Sequence, residues 1–173
     1  FKSFDQINCE ATFENNAKYS LSHLVACDGI RSSIREQFFT PNQKPRYSGY
    51  SAWRGIGKSN LQNVHFALGP GSHIVSYPIN NEGDVSFVAC TKEEYEFTES
   101  WKEEGLYNDL LDDFSIYDAK IFPVIEDSMK LYKWGIYIRP PLKSMIAHNL
   151  TLVGDAAHPM VPFLGQGACM AIE

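Results

Sequence analysis

The stretch LVGDAAHPMVPFLGQG, residues 152–167, carries the strongest signal of fold and function in this sequence. Apolar residues 150–153 predict a buried strand, and Asp155 follows at its carboxyl end. An acid in that position is well placed to accept hydrogen bonds from the hydroxyl groups of a ligand. Ala156 and Ala157 are small, so a bulky group can approach the backbone. The stretch therefore predicts a strand, a ligand-binding loop and a helix.

The helix is predicted to begin near Gly165, and Gly165 and Gly167 flank its start. The free N–H groups of a helix start can face a developing anion. The alternative is an ordinary connection in which Asp155 is only a helix cap. Taken over its whole length, the stretch favours the ligand site.

A second stretch, LVACDGIRSSIR at residues 24–35, predicts another strand, a tight turn and a helix. Asp28 or Ser32 is the expected helix cap. Arg31 and Arg35 are predicted to share one helix face, where they would offer a dianion a paired cationic site. The alternative is two solvated arginines beside a capping Asp28.

The sequence between the two stretches is rich in predicted strands, with turns at residues 69–71 and 80–84. A polar helix is predicted at 99–114 and a further strand at 130–138. The pattern indicates an α/β (α+β) chain that leaves one domain, builds a second and returns. The predicted domains are residues 1–45, 46–140 and 141–173, the last being a return to the first domain.

Two short segments of the middle domain contain candidate binding residues, AWRG at 52–55 and Tyr77-Pro78. Trp53 is expected to fill the core. Arg54 lies within a predicted strand and must find a partner or a ligand there. Tyr77 is expected either to present its hydroxyl to a substrate or to anchor a hairpin.

Composition excludes several classes of protein. The formal charge is −6 and basic residues do not cluster, which argues against a nucleic-acid partner. No apolar stretch is long enough for a membrane span, and no signal peptide is visible. The histidines lack zinc spacing, so no metal site is expected. The cysteines show neither CxxC spacing nor a paired framework, which favours a reducing, cytoplasmic location.

Residues 152–167 resemble the second flavin-binding motif of the FAD-dependent monooxygenases typified by para-hydroxybenzoate hydroxylase and salicylate hydroxylase. Residues 24–35 resemble the DG motif of that family, and weaker similarities occur at 52–55, 77–78 and IRPP at 138–141. The resemblance implies part of an FAD-binding domain of the para-hydroxybenzoate hydroxylase type. A substrate domain built on a mixed or antiparallel sheet is inserted into it.

The resemblance also implies roles for individual residues. Asp155 would hold the ribityl chain, Pro162 would lie over the isoalloxazine ring, and Arg35 would serve NAD(P)H. The full set implied to bind cofactor is Asp28, Gly29, Arg35, Gly154, Asp155, Pro162, Leu164, Gly165, Gln166 and Gly167. The candidates for the substrate pocket are Arg54, Tyr77, Pro162 and Phe163, and no residue is assigned as a general acid or base.

The implied reaction uses NADPH or NADH and O₂ to hydroxylate a small aromatic or heteroaromatic compound through a flavin hydroperoxide. Arg54 would then be a carboxylate partner. Three alternatives stay open: an epoxidase of the zeaxanthin-epoxidase kind, a flavin-dependent reductase, and an inert fragment or interaction module. The sequence leaves the oligomeric state undetermined.

Both ends of the sequence suggest a fragment, because it opens among short strands and closes inside a helical pattern. No GxGxxG occurs, so the resemblance places the ADP-binding unit upstream of Phe1. The family's C-terminal helices are also missing. We therefore expect this stretch to be inactive on its own.

Overall fold

The computed structural model describes residues 1–96, 104–123 and 130–173, and the chain divides into two compact units. Unit 1 consists of Phe1–Arg46 and Ile138–Glu173, and unit 2 is Tyr47–Tyr137. The predicted α/β class, with a sheet inserted into a strand-and-helix unit, is confirmed.

The strands and helices follow one another in a single run along the chain. They are β1 (Ser3–Asp5), β2 (Glu10–Thr12), β3 (Lys18–Ser20), β4 (Leu24–Ala26), α1 (Ser33–Phe38), β5 (Arg46–Lys58), β6 (His65–Gly69), β7 (Ser72–Pro78), β8 (Asp84–Lys92), α2 (Tyr107–Asp113), β9 (Tyr132–Ile138), β10 (Ile146–Ala147), β11 (Leu150–Leu152) and α3 (Gly167–Ile172). Short 3-10 turns occur at Ala119–Ile121, Gly154–Ala156 and Pro162–Leu164.

Unit 1 contains two small sheets. In the first, β2 pairs antiparallel with both β1 and β3. In the second, β11 lies between β10, its antiparallel partner, and β4, its parallel partner. Apolar side chains from both sheets and from α1 form one core, made of Phe4, Ala11, Ala26, Ile34, Leu150, Leu152, Ala156 and Ala157.

Unit 2 is built on a five-stranded sheet of order β6-β7-β8-β5-β9. The pairs β6·β7, β7·β8 and β5·β8 are antiparallel. Alternate residues on one face pack against α2 and the segments after it. This core consists of Trp53, Ile74, Phe87, Ala89, Leu110, Phe114, Phe122 and Leu131. Trp53 fills core, as predicted, with no exposed surface, and its Nε1 donates to Asp113 Oδ2 at 2.6 Å.

The opposite face of this sheet, which we call the open face, presents several half-buried or exposed side chains, although Ala52, Ser86 and Cys90 on it are buried. Residues opposite one another on antiparallel strands share a face. The pairs Arg54↔Val88 and Val88↔Val75 therefore place Arg54, Val88 and Val75 side by side on the open face. They form one row of side chains that runs across β5, β8 and β7. Phe66, opposite Val75, extends this row, and the neighbouring rows contribute Ile56, Leu68, His73 and Tyr77.

Unit 2 begins and ends at residues that touch. Tyr47 lies in β5 and Tyr137 in β9, and these strands are neighbours in the sheet. The two rings pack edge to face with centroids 5.8 Å apart. The chain thus enters and leaves the unit at one place.

Helix bounds differ from the predicted ones at two places. The helix predicted at 99–114 is present as α2, Tyr107–Asp113, and residues 99–103 of the prediction lie outside the described part of the chain. The helix predicted to begin near Gly165 begins at Gly167. Gly165 instead ends the preceding 3-10 turn in a left-handed conformation, with φ of 62°.

Candidate functional site

Two acidic residues follow neighbouring parallel strands of unit 1. Asp28 comes shortly after β4 and Asp155 shortly after β11. The ladder between these strands continues past their ends, because Val153 N donates to the carbonyl of Ala26 at 3.0 Å. Ligands of open α/β sheets bind outside the carboxyl ends of the strands. Both acids therefore stand at the edge where a ligand is expected.

Asp155 is exposed and lies in the 3-10 turn Gly154–Ala156. Within the described residues its carboxylate has no hydrogen-bond partner, so both oxygens are free to accept. Gly154 has a φ of 62°, and a Cβ there would lie 3.7 Å from the Cβ of Ala171. The turn is thus packed against α3, while the acid points away from the core.

The backbone before α3 borders open space. A Cβ added at Gly165 or Gly167 would meet no atom within 4 Å. Gln166 occupies the N-cap of α3 and makes no side-chain capping bond. The first N–H groups of a helix lack acceptors within it, so this segment offers an uncovered donor at Gly167, whereas its Gly165 N–H already donates to the carbonyl of Pro162 at 3.1 Å. Its exposed members are Pro162, Leu164, Gly165 and Gln166, while Phe163 and Gly167 are half-buried.

Both predicted caps of α1 are present. Ser32 Oγ accepts from the Arg35 N–H at 2.9 Å. Asp28 Oδ2 accepts from the Ser33 N–H at 2.9 Å and from the Ile34 N–H at 3.5 Å. Gly29 makes the tight turn between strand and helix with a φ of 77°, which a side chain would disfavour. One Asp28 oxygen is therefore committed to the helix end.

Arg35 lies in the interior and joins three segments of unit 1. Its side chain has no exposed surface. Nη1 donates to the carbonyls of Ala156 and Ala157 at 3.2 and 2.8 Å, and Nη2 donates to the carbonyl of Pro140 at 2.6 Å. Burial, with a smaller contribution from the charge of Arg139, lowers the pKa of Arg35. The side chain holds the loop that carries Asp155.

The predicted pairing of Arg31 and Arg35 on one helix face is wrong. Helix α1 begins at Ser33, so Arg31 precedes both the helix and its cap. Arg31 is exposed and Arg35 is buried, so they do not form a joint cationic surface. The expected role of Arg35 in the use of NAD(P)H stays a prediction. Because Arg35 is buried, its side chain has no exposed surface with which to contact NAD(P)H directly.

Arg139 is the second buried arginine of unit 1, with 6% of its surface exposed. Its Nε and Nη1 atoms have no hydrogen-bond partner within the described residues. Burial lowers the pKa of Arg139, and the charge of Glu36 opposes that shift. These two nitrogen atoms are sealed from solvent and are therefore not accessible to an anion in solution.

The two substrate-pocket candidates of unit 2, Arg54 and Tyr77, share the open face. Arg54 is exposed and Tyr77 is half-buried. No hydrogen bond or ion pair joins the Arg54 guanidinium to any residue that the structure describes. Its charge is therefore available to a ligand that approaches this face.

His73 is a candidate that sequence reasoning missed. It lies on β7 four residues before Tyr77, so alternation places both side chains on the open face. Burial lowers the pKa of His73. The period-two pattern of His73, Val75 and Tyr77 could have revealed it once Tyr77 was a candidate.

Two kinds of feature are absent from residues 1–96, 104–123 and 130–173. No group of three or more His, Cys, Asp and Glu side chains there is arranged to hold a metal ion. No helix in those ranges has the length and apolar character needed to cross a membrane.

Known proteins with similar sequences include monooxygenases and hydroxylases. The chain is 34% identical over 158 residues to the 3-amino-4-hydroxybenzoate 2-monooxygenase PtmB3 of Streptomyces platensis, covering 87% of this chain and 39% of that protein. It is 30% identical over 175 residues to the 3-hydroxybenzoate 6-hydroxylase 2 of Aquipseudomonas alcaligenes, covering 92% of this chain and 51% of that protein. The chain thus spans 39% to 51% of the length of these two relatives.

Solved structures share the fold at lower identity. A salicylate hydroxylase substrate complex superposes with a TM-score of 0.81 at 19% identity, covering 96% of this chain and 46% of that one. Klebsiella pneumoniae HpxO complexed with FAD and uric acid superposes with a TM-score of 0.77 at 22% identity, covering 94% and 43%. The profile of the FAD binding domain family matches residues 5–173. This chain therefore belongs to the FAD binding domain family.

Proposed function

We propose that the full-length protein is an FAD-dependent monooxygenase that uses NADPH or NADH and O₂ to hydroxylate a small aromatic or heteroaromatic compound. The observation that carries the proposal is the exposed carboxylate of Asp155 at the end of β11, which has no hydrogen-bond partner among the residues that the structure describes. It lies in the same unit as Gly165 and Gly167, which border open space. The expected cytoplasmic location stays a prediction.

The residues of unit 1 fit an FAD molecule. A ribityl chain presents hydroxyl donors, which the free Asp155 oxygens can accept. Open space at Gly165 and Gly167 allows a flat ring to approach the backbone, and the uncovered N–H group at Gly167 favours an electron-rich edge. Pro162, exposed on the same segment, supplies an apolar contact. When bound, FAD would supply electron transfer from the nicotinamide and oxygen insertion.

The chain's own residues would then bind and orient rather than transfer protons. Arg35 fixes the carbonyls that directly follow Asp155, so the acid keeps its place relative to β11. Asp28 and Ser32 fix the start of α1, from which Arg35 extends. Preorganised groups of this kind reduce the entropy lost on cofactor binding.

The open face of unit 2 is the proposed substrate surface. Arg54 provides an available cation, and Val75 and Val88 provide an apolar floor beside it. Such a surface suits a planar ring with an acidic substituent. The names of the relatives, among them 3-amino-4-hydroxybenzoate 2-monooxygenase and 3-hydroxybenzoate 6-hydroxylase 2, agree with a hydroxylated aromatic acid.

The proposal is tested by replacing Asp155 with Ala in the full-length protein. Each charge-assisted hydrogen bond contributes roughly 1.5–3 kcal/mol, so losing one should raise the dissociation constant for FAD about ten- to 150-fold. Flavin content after dilution and gel filtration measures the effect. Glu14→Ala, an exposed acid of the same unit, is the matched control and should retain FAD.

Measuring oxygen uptake tests the class of reaction independently of FAD binding. A monooxygenase consumes NAD(P)H and O₂ together when an aromatic substrate is added, and mass spectrometry finds one added oxygen atom in the product. An epoxide product would instead support the epoxidase, and NAD(P)H consumption without oxygen insertion would support a reductase. Unchanged FAD content in Asp155→Ala would contradict the assigned site.

A further inference from the structure

Two buried arginines of unit 1 lie close together behind the loop that carries Asp155. Arg35 has no exposed surface, and 6% of the surface of Arg139 is exposed. Arg35 Nη2 donates at 2.6 Å to the carbonyl of Pro140, the residue that directly follows Arg139. Its Nη1 donates to the two carbonyls of the loop that directly follow Asp155. Both cations therefore belong to the interior of the unit that is proposed to hold FAD.

Contacts within the unit leave the charges of this arginine pair unneutralised. The bonds that Arg35 donates from Nη1 and Nη2 all go to uncharged carbonyls. Arg35 Nε and the Nε and Nη1 atoms of Arg139 have no hydrogen-bond partner among the residues that the structure describes. Within residues 1–96, 104–123 and 130–173, no ion pair joins either guanidinium to a carboxylate. Since a buried charge without an opposite charge is costly, a negative charge that develops nearby is stabilised.

The ionisable groups around the pair leave it positive. The pKa of Arg35 is lowered by burial and by the charge of Arg139, so the two guanidinium groups repel each other. Burial also lowers the pKa of Arg139, which Glu36 and Asp28 raise by their negative charge and Arg31 lowers further. Arginine stays charged at neutral pH in spite of such shifts. Three arginines therefore face two carboxylates, and one positive charge remains uncompensated.

Reduction changes the charge of the cofactor that unit 1 is proposed to bind. NAD(P)H transfers a hydride, which is two electrons and one proton, to the isoalloxazine ring, and NAD(P)⁺ leaves. The ring is neutral before the transfer and carries one negative charge after it, while the phosphate groups of FAD keep their charge. A positive charge about 10 Å away, at an effective dielectric constant of about 20, stabilises that negative charge by roughly ten- to twentyfold in an equilibrium constant.

We propose that the buried arginine pair raises the reduction potential of bound FAD, and that Arg139 does so through its charge rather than through a hydrogen bond to the cofactor. The inference rests on the proposed function and deepens it, because it assigns the residues that favour the reduced cofactor. Arg35 has a second role in holding the loop, so Arg139 is the residue in which the effect of charge can be tested separately.

The test measures the midpoint potential of FAD in the full-length protein by anaerobic reduction at equilibrium with a reference dye. Arg139→Gln removes the charge and should change the ratio of the dissociation constants for oxidised and reduced FAD by about tenfold. For a two-electron couple this change lowers the potential by about 30 mV. Oxidised FAD should bind almost as tightly as in the wild type.

A second variant reverses the expected sign. Glu36→Gln removes a half-buried negative charge that acts on Arg139, so it should raise the potential, by about three- to tenfold in the same ratio. Lys44→Gln removes an exposed cation of the same unit and should leave the ratio within about twofold, since solvent screens its charge. If Arg139→Gln does not fold or does not hold FAD, the direction of the shift in Glu36→Gln decides the question.

A loosened site and a lost charge give different results. Loss of packing weakens the binding of both redox states alike and leaves the potential where it was. An unchanged potential in Arg139→Gln, or shifts of the same sign in Arg139→Gln and Glu36→Gln, would overturn the inference while the FAD-dependent assignment stands. Wild-type protein that binds no FAD would overturn the proposed function itself.

Discussion

Replacing Arg35 with Met should loosen the FAD site by destabilising the loop behind it. The guanidinium donates three hydrogen bonds to the carbonyls of Ala156, Ala157 and Pro140. Met fills much of the volume but leaves these carbonyls without that donor. Each buried unpaired group costs about 1–3 kcal/mol, and relaxation offsets part of the total. We expect a loss of about 3–5 kcal/mol, comparable with breaking a buried ionic network.

The substitution Arg35→Met should lower both the free energy of unfolding and the retention of FAD. With a slope of about 1–3 kcal/mol per molar urea, the urea concentration that releases half of the FAD should fall by about 1–5 M. Flavin fluorescence during a urea titration of the full-length protein measures this midpoint. Arg31→Met is the matched control, because Arg31 is exposed and precedes the helix. Its midpoint should shift by less than about 0.5 M, since surface substitutions usually cost under about 0.5 kcal/mol.

The opposite pattern would refute this reasoning. If Arg35→Met keeps the wild-type midpoint and flavin content while the KM for NADPH or NADH rises, then Arg35 serves the nicotinamide directly. Its burial against three carbonyls would then be irrelevant to its function. Stopped-flow reduction of the same samples supplies the second measurement.

Two further predictions concern thiols and a backbone turn. A chromogenic thiol reagent at pH 8 should modify the exposed Cys27 and Cys169 rapidly. It should leave Cys90 unmodified until the protein is unfolded, because burial raises the pKa of the Cys90 thiol to about 12. Rapid modification of Cys90 in the folded protein would contradict this prediction. His148→Gly should raise the free energy of unfolding by roughly 0.5–1 kcal/mol, because His148 has a φ of 53° that glycine adopts without strain. Thermal unfolding of His148→Gly measures this effect. His65→Gly is the comparison, because a glycine within strand β6 should be destabilising.

The sequence was sufficient for features that depend on local patterns. Strands β7 and β8 and the turn at 69–71 follow from alternation and from Gly71, whose φ of 70° favours glycine. Both caps of α1 follow from residue type, because Ser and Asp side chains accept from the first N–H groups of a helix. The burial of Trp53 in the core follows from the size and the apolar surface of its side chain.

Other features depend on tertiary contacts that no local pattern encodes. Arg35 resembles a surface residue in the sequence, and its burial requires three carbonyls from segments more than a hundred positions away. The shared face of Arg54 and His73 depends on the register of β5, β8 and β7, which the turns alone do not determine. The start of α1 after Arg31 depends on the conformation of Gly29, which lengthens the turn.

The contact between Tyr47 and Tyr137 has a consequence for the order in which the chain folds. Strands β4 and β11 pair although about 120 residues separate them, and closing so long a loop is entropically costly. Once unit 2 has folded, its two ends are held side by side, and only about 30 flexible residues remain in the loop. Since the closure cost grows as (3/2)RT ln n, it falls by about 1.3 kcal/mol, or roughly tenfold in closing probability. The inserted sheet thereby acts as a folding template for the parallel strands whose ends carry Asp28 and Asp155.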